Sequence, residues 1–274
     1  ANFLVNPISF STSERGLLLL ERSGRATLIA ENFTRRTATS EPFVDEEIGN
    51  AADDKWYDHK HSVKNRDHAL FDRLLRVADR MKGRGLVEAE WLPAMAADRL
   101  GLGSDALSGE IGSIVRKLRR QKHDDEIALL ERCMRACEAG HSRALEVAAP
   151  GVSELDVYRE IQSAAVAEAG CPAIVYGDFR PTNARIHKRG GLPTNEKLRA
   201  GDMLIIDYSV VLSGYRSDFT NTIAIGEMTV EQEKIFSVCE GAMAAGEAVF
   251  KAGAAAKDVY NAASTVMEEA GFAP

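Results

Sequence analysis

Two aspartates, Asp207 and Asp218, are separated by ten residues in DMLIIDYSVVLSGYRSDFTNTIAIG. The residues around them are strand formers, Val, Ile, Thr and Tyr, from Asp202 to Val211 and from Tyr215 to Ile225. A tight hairpin with Leu212 and Ser213 at its tip predicts that Asp207 lies directly opposite Asp218, with Cβ atoms about 5 Å apart on one face. Like charges so placed repel. Asp207 also follows Leu204, Ile205 and Ile206, which reads as a strand covered on both faces, where an uncompensated carboxylate is costly. A shared proton, a basic partner or bound cations would each compensate. Two carboxylates spanning such a gap suit a pair of metal ions about 3.5–4 Å apart, and oxygen ligation favours Mn²⁺ and its hard neighbours. The plain alternative, set by turn type and register, turns one Asp inward and leaves the other in solvent. His187, upstream in NARIHKRG, joins this chemistry only if the connection to Asp202 folds it over the carboxylates.

The elements that must position this hairpin are legible around it. Glu126 to Ala149 reads as one long Ala- and Leu-rich helix, stopped by Pro150-Gly151. Ser153 then caps a second helix to about Ala169, Gly170 ends it, and strand sequence begins at Pro172 to Tyr176. After the hairpin, Thr229 and Gln232 form a capping-box pattern for a third helix to about Lys251, and Ala256 to Ala270 reads as a fourth. Upstream, RGLLLLERSGRATLIAENF (residues 15–33) is a hairpin pattern around Ser23-Gly24. Leu70, Phe71, Leu74, Leu75 and Ala78 recur at helical spacing. The alternation to about residue 108 is expected of a small α/β domain. His59 and His61, in the charged stretch from Glu41 to Asn65, read as part of a solvated connector rather than metal ligands. Arg116 to Lys122 is basic and is followed at once by Asp124, Asp125 and Glu126. That order is what helix dipoles favour at the end of one helix and the start of the next, and it marks a domain boundary at residues 122–123.

Composition narrows the class. The 274 residues are 45% hydrophobic, 27% charged and 7% aromatic, a globular balance that excludes disordered, collagenous and disulfide-scaffold chains. With 34 Lys plus Arg against 41 Asp plus Glu the net charge is −7, so no general basic field exists for nucleic acid or an anionic membrane. Apolar runs stop far short of the ~20 residues that cross a bilayer, and the first residues lack the charged and apolar regions of a secretory signal. Four Cys without a CxxC pair give neither a disulfide framework nor a cysteine zinc site, and Cys133 and Cys137, four apart in a helical pattern, read as buried thiols. A soluble, cytoplasmic protein is expected.

An internal repeat adds a constraint. At an offset of 102, Cys137, Glu138, Val147, Gly151, Asp156, Val157 and Tyr158 meet identical residues at Cys239, Glu240, Val249, Gly253, Asp258, Val259 and Tyr260. In the first unit the helix pair is followed by strands ending near Gly226; the second copy would need about 54 further residues of sheet beyond Pro274. Two half-sheets that should close on each other are represented here by one.

At these residues the sequence resembles the M24 metallopeptidase family, in its creatinase/prolidase/Xaa-Pro aminopeptidase branch with the pita-bread fold. The resemblance is carried by KHDDEIALLERC, PGVSELDVY, His187 and GDMLIIDYSVVLSGYRSDFTNT. It implies an α/β (α+β) fold: a creatinase-type N-terminal domain at 1–122 and the first part of the catalytic domain at 123–274. It further implies two divalent metal ions, Mn²⁺ first with Co, Zn or Fe as alternatives, held by Asp207 and Asp218 together with a His and two Glu from the second half-sheet. His187 matches the histidine that contacts substrate and assists proton transfer. Thr220 and Tyr215 match positions beside the second ligand, close to metal and substrate. The implied activity is hydrolysis of peptides with proline at the second position, in a homodimer, and the chain alone is expected to bind metal poorly and to be inactive. Two departures stand out: the family's D-x-G is Asp207-Tyr208-Ser209 here, and its T-R-T is Thr220-Asn221-Thr222. The alternatives are a creatinase-like hydrolase or lyase, and an inactive pita-bread module that binds peptide or protein.

Overall fold

The computed structural model describes residues 16–30, 44–48, 74–77, 80, 86–88, 92, 94–103, 111–182 and 190–272. His59, His61 and His187 lie outside the described residues. The chain divides into two compact units whose limits cross several elements. One comprises Ala1–Ala139, Ala165–Val175 and Ser209–Asp218, and the other Gly140–Ala164, Tyr176–Tyr208 and Phe219–Pro274.

In the first unit, β1 (Gly16–Leu20) and β2 (Ala26–Ala30) form the antiparallel hairpin expected around Ser23-Gly24, and β3 (Glu46–Ile48) adds to β2 in parallel. Alternation turns Ile29 inward, where it packs with Leu74, Val77 and Ala96 from helical segments and with Leu17 and Leu19 of β1. Arg80 clips this sheet from the side, donating to Glu21, to Thr27 and, at 2.7 Å, to Glu46. Short helices α1 (Ala94–Arg99) and α2 (Ile111–Leu118) follow.

Helix α3 (Asp124–Val147) opens on three acidic residues, favourable at the positive end of its dipole. Helix α4 (Glu154–Ala169) begins after a reciprocal cap: Ser153 Oγ accepts from the Asp156 N–H, and the Ser153 N–H donates to the Asp156 carboxylate, each at 3.1 Å. The Ser153 hydroxyl also donates to Asp156 Oδ2 at 2.6 Å, and this bond, with the one from the Ser153 N–H, holds the Asp156 carboxyl below the usual range. The second sheet follows the order β4 (Ile174–Thr182), β5 (Met203–Leu212), β6 (Tyr215–Arg216), with β7 (Phe219–Ala224) also pairing with β5. In the second unit a file of rings joins helices to sheet: Tyr158 of α4 meets Phe179 of β4 edge-on at 5.4 Å, and Phe179 stacks with Tyr208 of β5 at 6.2 Å. Tyr208 meets Phe219 of β7, and Phe219 meets His141 of α3 at 5.0 Å. Helix α5 (Val230–Val249) starts on the expected capping box of Thr229 and Gln232, and α6 (Ala256–Glu269) packs against it. No helix among the described residues is long and apolar enough to cross a membrane.

Candidate active site

The hairpin that bears the two aspartates forms, with its tip one residue later than the sequence reading placed it. Leu212 pairs with Tyr215, and the turn residues are Ser213 (φ 50°) and Gly214 (φ 77°). A two-residue hairpin turn with positive φ at both central positions needs residues that tolerate the left-handed region. Ser213-Gly214 meets that demand, whereas a tip at Leu212-Ser213 would force Leu212 into it. The Ser-Gly pair is the signal that identifies this register.

The consequence falls on the carboxylates. Asp207 pairs with Thr220, not with Asp218, and the Thr220 hydroxyl donates to Asp207 Oδ1 at 2.9 Å. The like-charge opposition expected from the sequence does not arise. Carried through the same register, Asp218 corresponds to Ser209, where the returning strand breaks between β6 and β7. At the break the Ser217 N–H donates to the Val210 carbonyl at 3.0 Å, while the Val210 N–H donates to Ser217 Oγ at 2.8 Å. Serine's hydroxyl replaces its own carbonyl as acceptor, which interrupts the ladder and leaves the Asp218 side chain 78% exposed, 4.0 Å from Arg216. Asp207 is half-buried: the helix-side residues Leu204, Ile206 and Tyr208 are buried, but the opposite face of β5 is only partly covered. The strand is thus less enclosed than its apolar run suggests.

The backbone at Asp207 is gripped from the β4 side. A Cβ on Gly177 would stand 2.1 Å from the Asp207 carbonyl oxygen and 2.5 Å from Tyr208 Cα. Only a residue without a side chain lets β4 approach β5 this closely.

Tyr215 is committed to the helix rather than to open space. Its hydroxyl donates to Glu126 Oε1 at 2.6 Å, in the first turn of α3, and its carbonyl accepts from the Cys133 thiol at 3.4 Å. The bond to Glu126 pushes the Tyr215 hydroxyl up to about 12 and, with the His123 N–H, draws the Glu126 carboxyl below its usual range. Burial raises the Cys133 thiol. Tyr215 therefore anchors the hairpin tip.

The sequence reading passed over His141. Asn221, at the position of the family's arginine, faces away from Asp207: it pairs with Ile206, and its Nδ2 lies 3.0 Å from His141 Nε2 on α3. Asn221 Oδ1 accepts from the Thr222 N–H, which fixes the amide so that Nδ2 donates to the imidazole. The ring proton then sits on Nδ1, which is buried without a hydrogen-bond partner among the described residues. Burial lowers the His141 pKa. The spacing of His141 in α3 gave no hint of this, because its partner comes from a strand 80 residues away.

Two carboxylates with a hydroxyl fixing one of them are hard oxygen donors of the type that Mn²⁺ and similar ions accept, so the residues present fit part of a divalent-metal site. Among the described residues no group of three or more His, Cys, Asp or Glu side chains gathers into a cluster, and two ligands alone hold such an ion weakly.

Residues 128–274 match the family model described as metallopeptidase family M24. The probable dipeptidase PepE of Mycobacterium tuberculosis is 33% identical over 162 residues, which are 58% of this chain and 42% of that protein. The chain thus spans under half the length of that relative. An uncharacterized peptidase of Staphylococcus aureus is 21% identical over 93% of this chain and 68% of its own length. Among solved structures, the prolidase from Pyrococcus horikoshii superposes with a TM-score of 0.68 at 19% identity, covering 94% of this chain and 68% of that one. Dipeptidase PepE from Mycobacterium ulcerans does so with 0.66 at 23% identity, covering 97% and 68%. These likenesses establish the α/β pita-bread fold.

Proposed function

Since the chain belongs to metallopeptidase family M24, we propose that the protein is a metal-dependent hydrolase of the Xaa-Pro aminopeptidase/prolidase type. The observation that carries this reading is the hydrogen bond from Thr220 to Asp207 on the same hairpin as Asp218, which fixes one acidic oxygen at the ligand spacing. Asp207 and Asp218 would hold the metal ions. When bound, two such ions polarise the scissile carbonyl and activate the attacking water. Thr220 holds the Asp207 carboxylate in one orientation before metal arrives, so less order is lost on binding. The Glu126–Tyr215 bond fixes the tip from which the Asp218 arm returns. His187 is assigned, by the resemblance, to substrate contact and proton transfer. Mn²⁺, a small peptide substrate, a cytoplasmic location, a homodimer and a catalytic domain beginning near residue 123 complete the proposal. The names of the peptidase relatives support a peptide substrate.

The experiment is metal analysis of the purified full-length protein followed by hydrolysis of an Xaa-Pro dipeptide and of a longer Xaa-Pro peptide. Hydrolysis of the dipeptide alone identifies a prolidase, and hydrolysis of the longer peptide an aminopeptidase. Bound metal with neither peptide cleaved overturns the reading.

A further inference from the structure

The strand that returns from the hairpin is interrupted immediately before Asp218. β6 ends at Arg216 and β7 begins at Phe219, with Ser217 and Asp218 between them. The interruption is not a bulge, because no residue is inserted: Val211 pairs with Arg216 and Tyr208 with Phe219, in one register on both sides. In a continuous antiparallel ladder Val210 and Ser217 would exchange two backbone bonds. One of them forms, from the Ser217 N–H to the Val210 carbonyl at 3.0 Å. The other is taken over by the side chain. The Val210 N–H donates to Ser217 Oγ at 2.8 Å, and the hydroxyl in turn donates to the Val210 carbonyl at 3.5 Å. Ser217 is 2% exposed, so water does not compete for these bonds.

A carbonyl oxygen and a serine Oγ each lie two bonds from Cα, so the hydroxyl replaces the carbonyl by a rotation rather than by moving the strand away. The N–H side of Ser217 stays in the ladder and its carbonyl side leaves it. The rotation therefore falls on the peptide that joins Ser217 to Asp218, and Asp218 departs in a direction that the ladder does not dictate. The Val210 N–H would be satisfied equally well by the backbone carbonyl, so folding alone does not call for the hydroxyl. What the hydroxyl changes is the course of the chain at the next carboxylate. We propose that Ser217 is a positioning residue that aims Asp218 as a metal ligand by keeping its own carbonyl out of the sheet. The proposal rests on the hydrolase reading above.

The test compares Ser217→Ala and Ser217→Thr with the parent in the full-length protein, by thermal melt, amide exchange at Val210 and calorimetric Mn²⁺ titration, with Asp218→Asn as the reference. Alanine offers no side-chain acceptor, so the backbone carbonyl takes the Val210 N–H and the ladder closes. The Val210 amide stays protected and Tm stays within about 2 °C of the parent. Mn²⁺ affinity falls about 10- to 100-fold, the range for a group that orients a metal ligand. Threonine keeps the acceptor and most of the affinity. Unchanged affinity in Ser217→Ala, an equal loss in Ser217→Thr, or a loss that comes with an unprotected Val210 amide and a matching fall in Tm overturns the proposal. Asp218→Asn separates the two readings. If it weakens Mn²⁺ binding and Ser217→Ala does not, the role of Ser217 alone is refuted; if it leaves Mn²⁺ binding unchanged, the metal-site reading falls and takes the proposal with it.

Discussion

Gly177→Ala is the sharpest perturbation of the site, because the structure sets its size. The added methyl would lie 2.1 Å from the Asp207 carbonyl oxygen, 2.5 Å from Tyr208 Cα and 2.8 Å from Tyr208 Cβ. Ordinary carbon contacts need roughly 3.5 Å, so β4 and β5 must separate by about 1 Å or more. Both nearest obstacles are backbone, and β5 is pinned on its other edge by β7, so neither strand yields as a flexible side chain would. Overpacking of this kind costs about 1–3 kcal/mol, and more when the backbone must move; about 3 kcal/mol is expected. For a domain of this size that lowers Tm by roughly 6–12 °C. The displaced backbone carries Asp207, so Mn²⁺ affinity falls together with Tm. Gly103→Ala is the control, since a Cβ there meets nothing within 4 Å. The assays are a thermal melt by circular dichroism and a calorimetric Mn²⁺ titration. Were Gly177→Ala to melt within about a degree of the parent, as Gly103→Ala is expected to, with Mn²⁺ affinity unchanged, the close approach of β4 to Asp207 would be refuted.

Thr220→Val removes the hydroxyl from Asp207 at a surface-exposed position, so Tm changes little while Mn²⁺ binding weakens several-fold, about the worth of one charge-assisted hydrogen bond; equal losses in both would mean a structural role only. His141 has its pKa lowered by burial, so the unfolded chain binds the proton more readily. Its contribution is full above the ordinary histidine value near 6.5 and lost as pH falls through the window below it. Tm measured from pH 7.5 to pH 5 should therefore fall less steeply in His141→Gln than in the parent. Asn221→Asp supplies an acceptor for a protonated ring and should flatten or reverse the same slope. Near-ultraviolet titration should show Tyr215 ionising at about 12, and Glu126→Gln should bring it back toward 10, since the carboxylate is the main cause of the rise; an unmoved titration would break the assigned bond.

Most of the architecture was legible because it rests on local chemistry. Thr229 and Gln232 announced a helix start and Ser153 another, each through bonds made within four residues, and Pro150-Gly151 announced a stop through backbone geometry, with Gly151 at φ 91°. The candidate site was misread in its register. Asp207 and Asp218 were picked out by type and spacing, yet which residue faces which depends on one turn, and the positive φ at Ser213 and Gly214 moved every partner by two positions. An even shift keeps side chains on their faces. That is why Asp207 stays on the face expected for it while its direct neighbour becomes Thr220.

What could not be read was whatever depends on two distant segments meeting. Asn221 departs from the family's arginine and stands three residues past Asp218 in the sequence. Alternation decides its direction: with Thr220 directed at Asp207, Asn221 must point to the helices, where His141 waits with one nitrogen to be satisfied. The same parity separates Phe179, which enters the aromatic file, from Asp178 and Arg180, which share the face of Asp207. A substitution in this sheet is therefore to be weighed by its parity relative to Asp207 before its distance along the chain. On that measure Thr220, 13 residues away, belongs to the site and Asn221 does not.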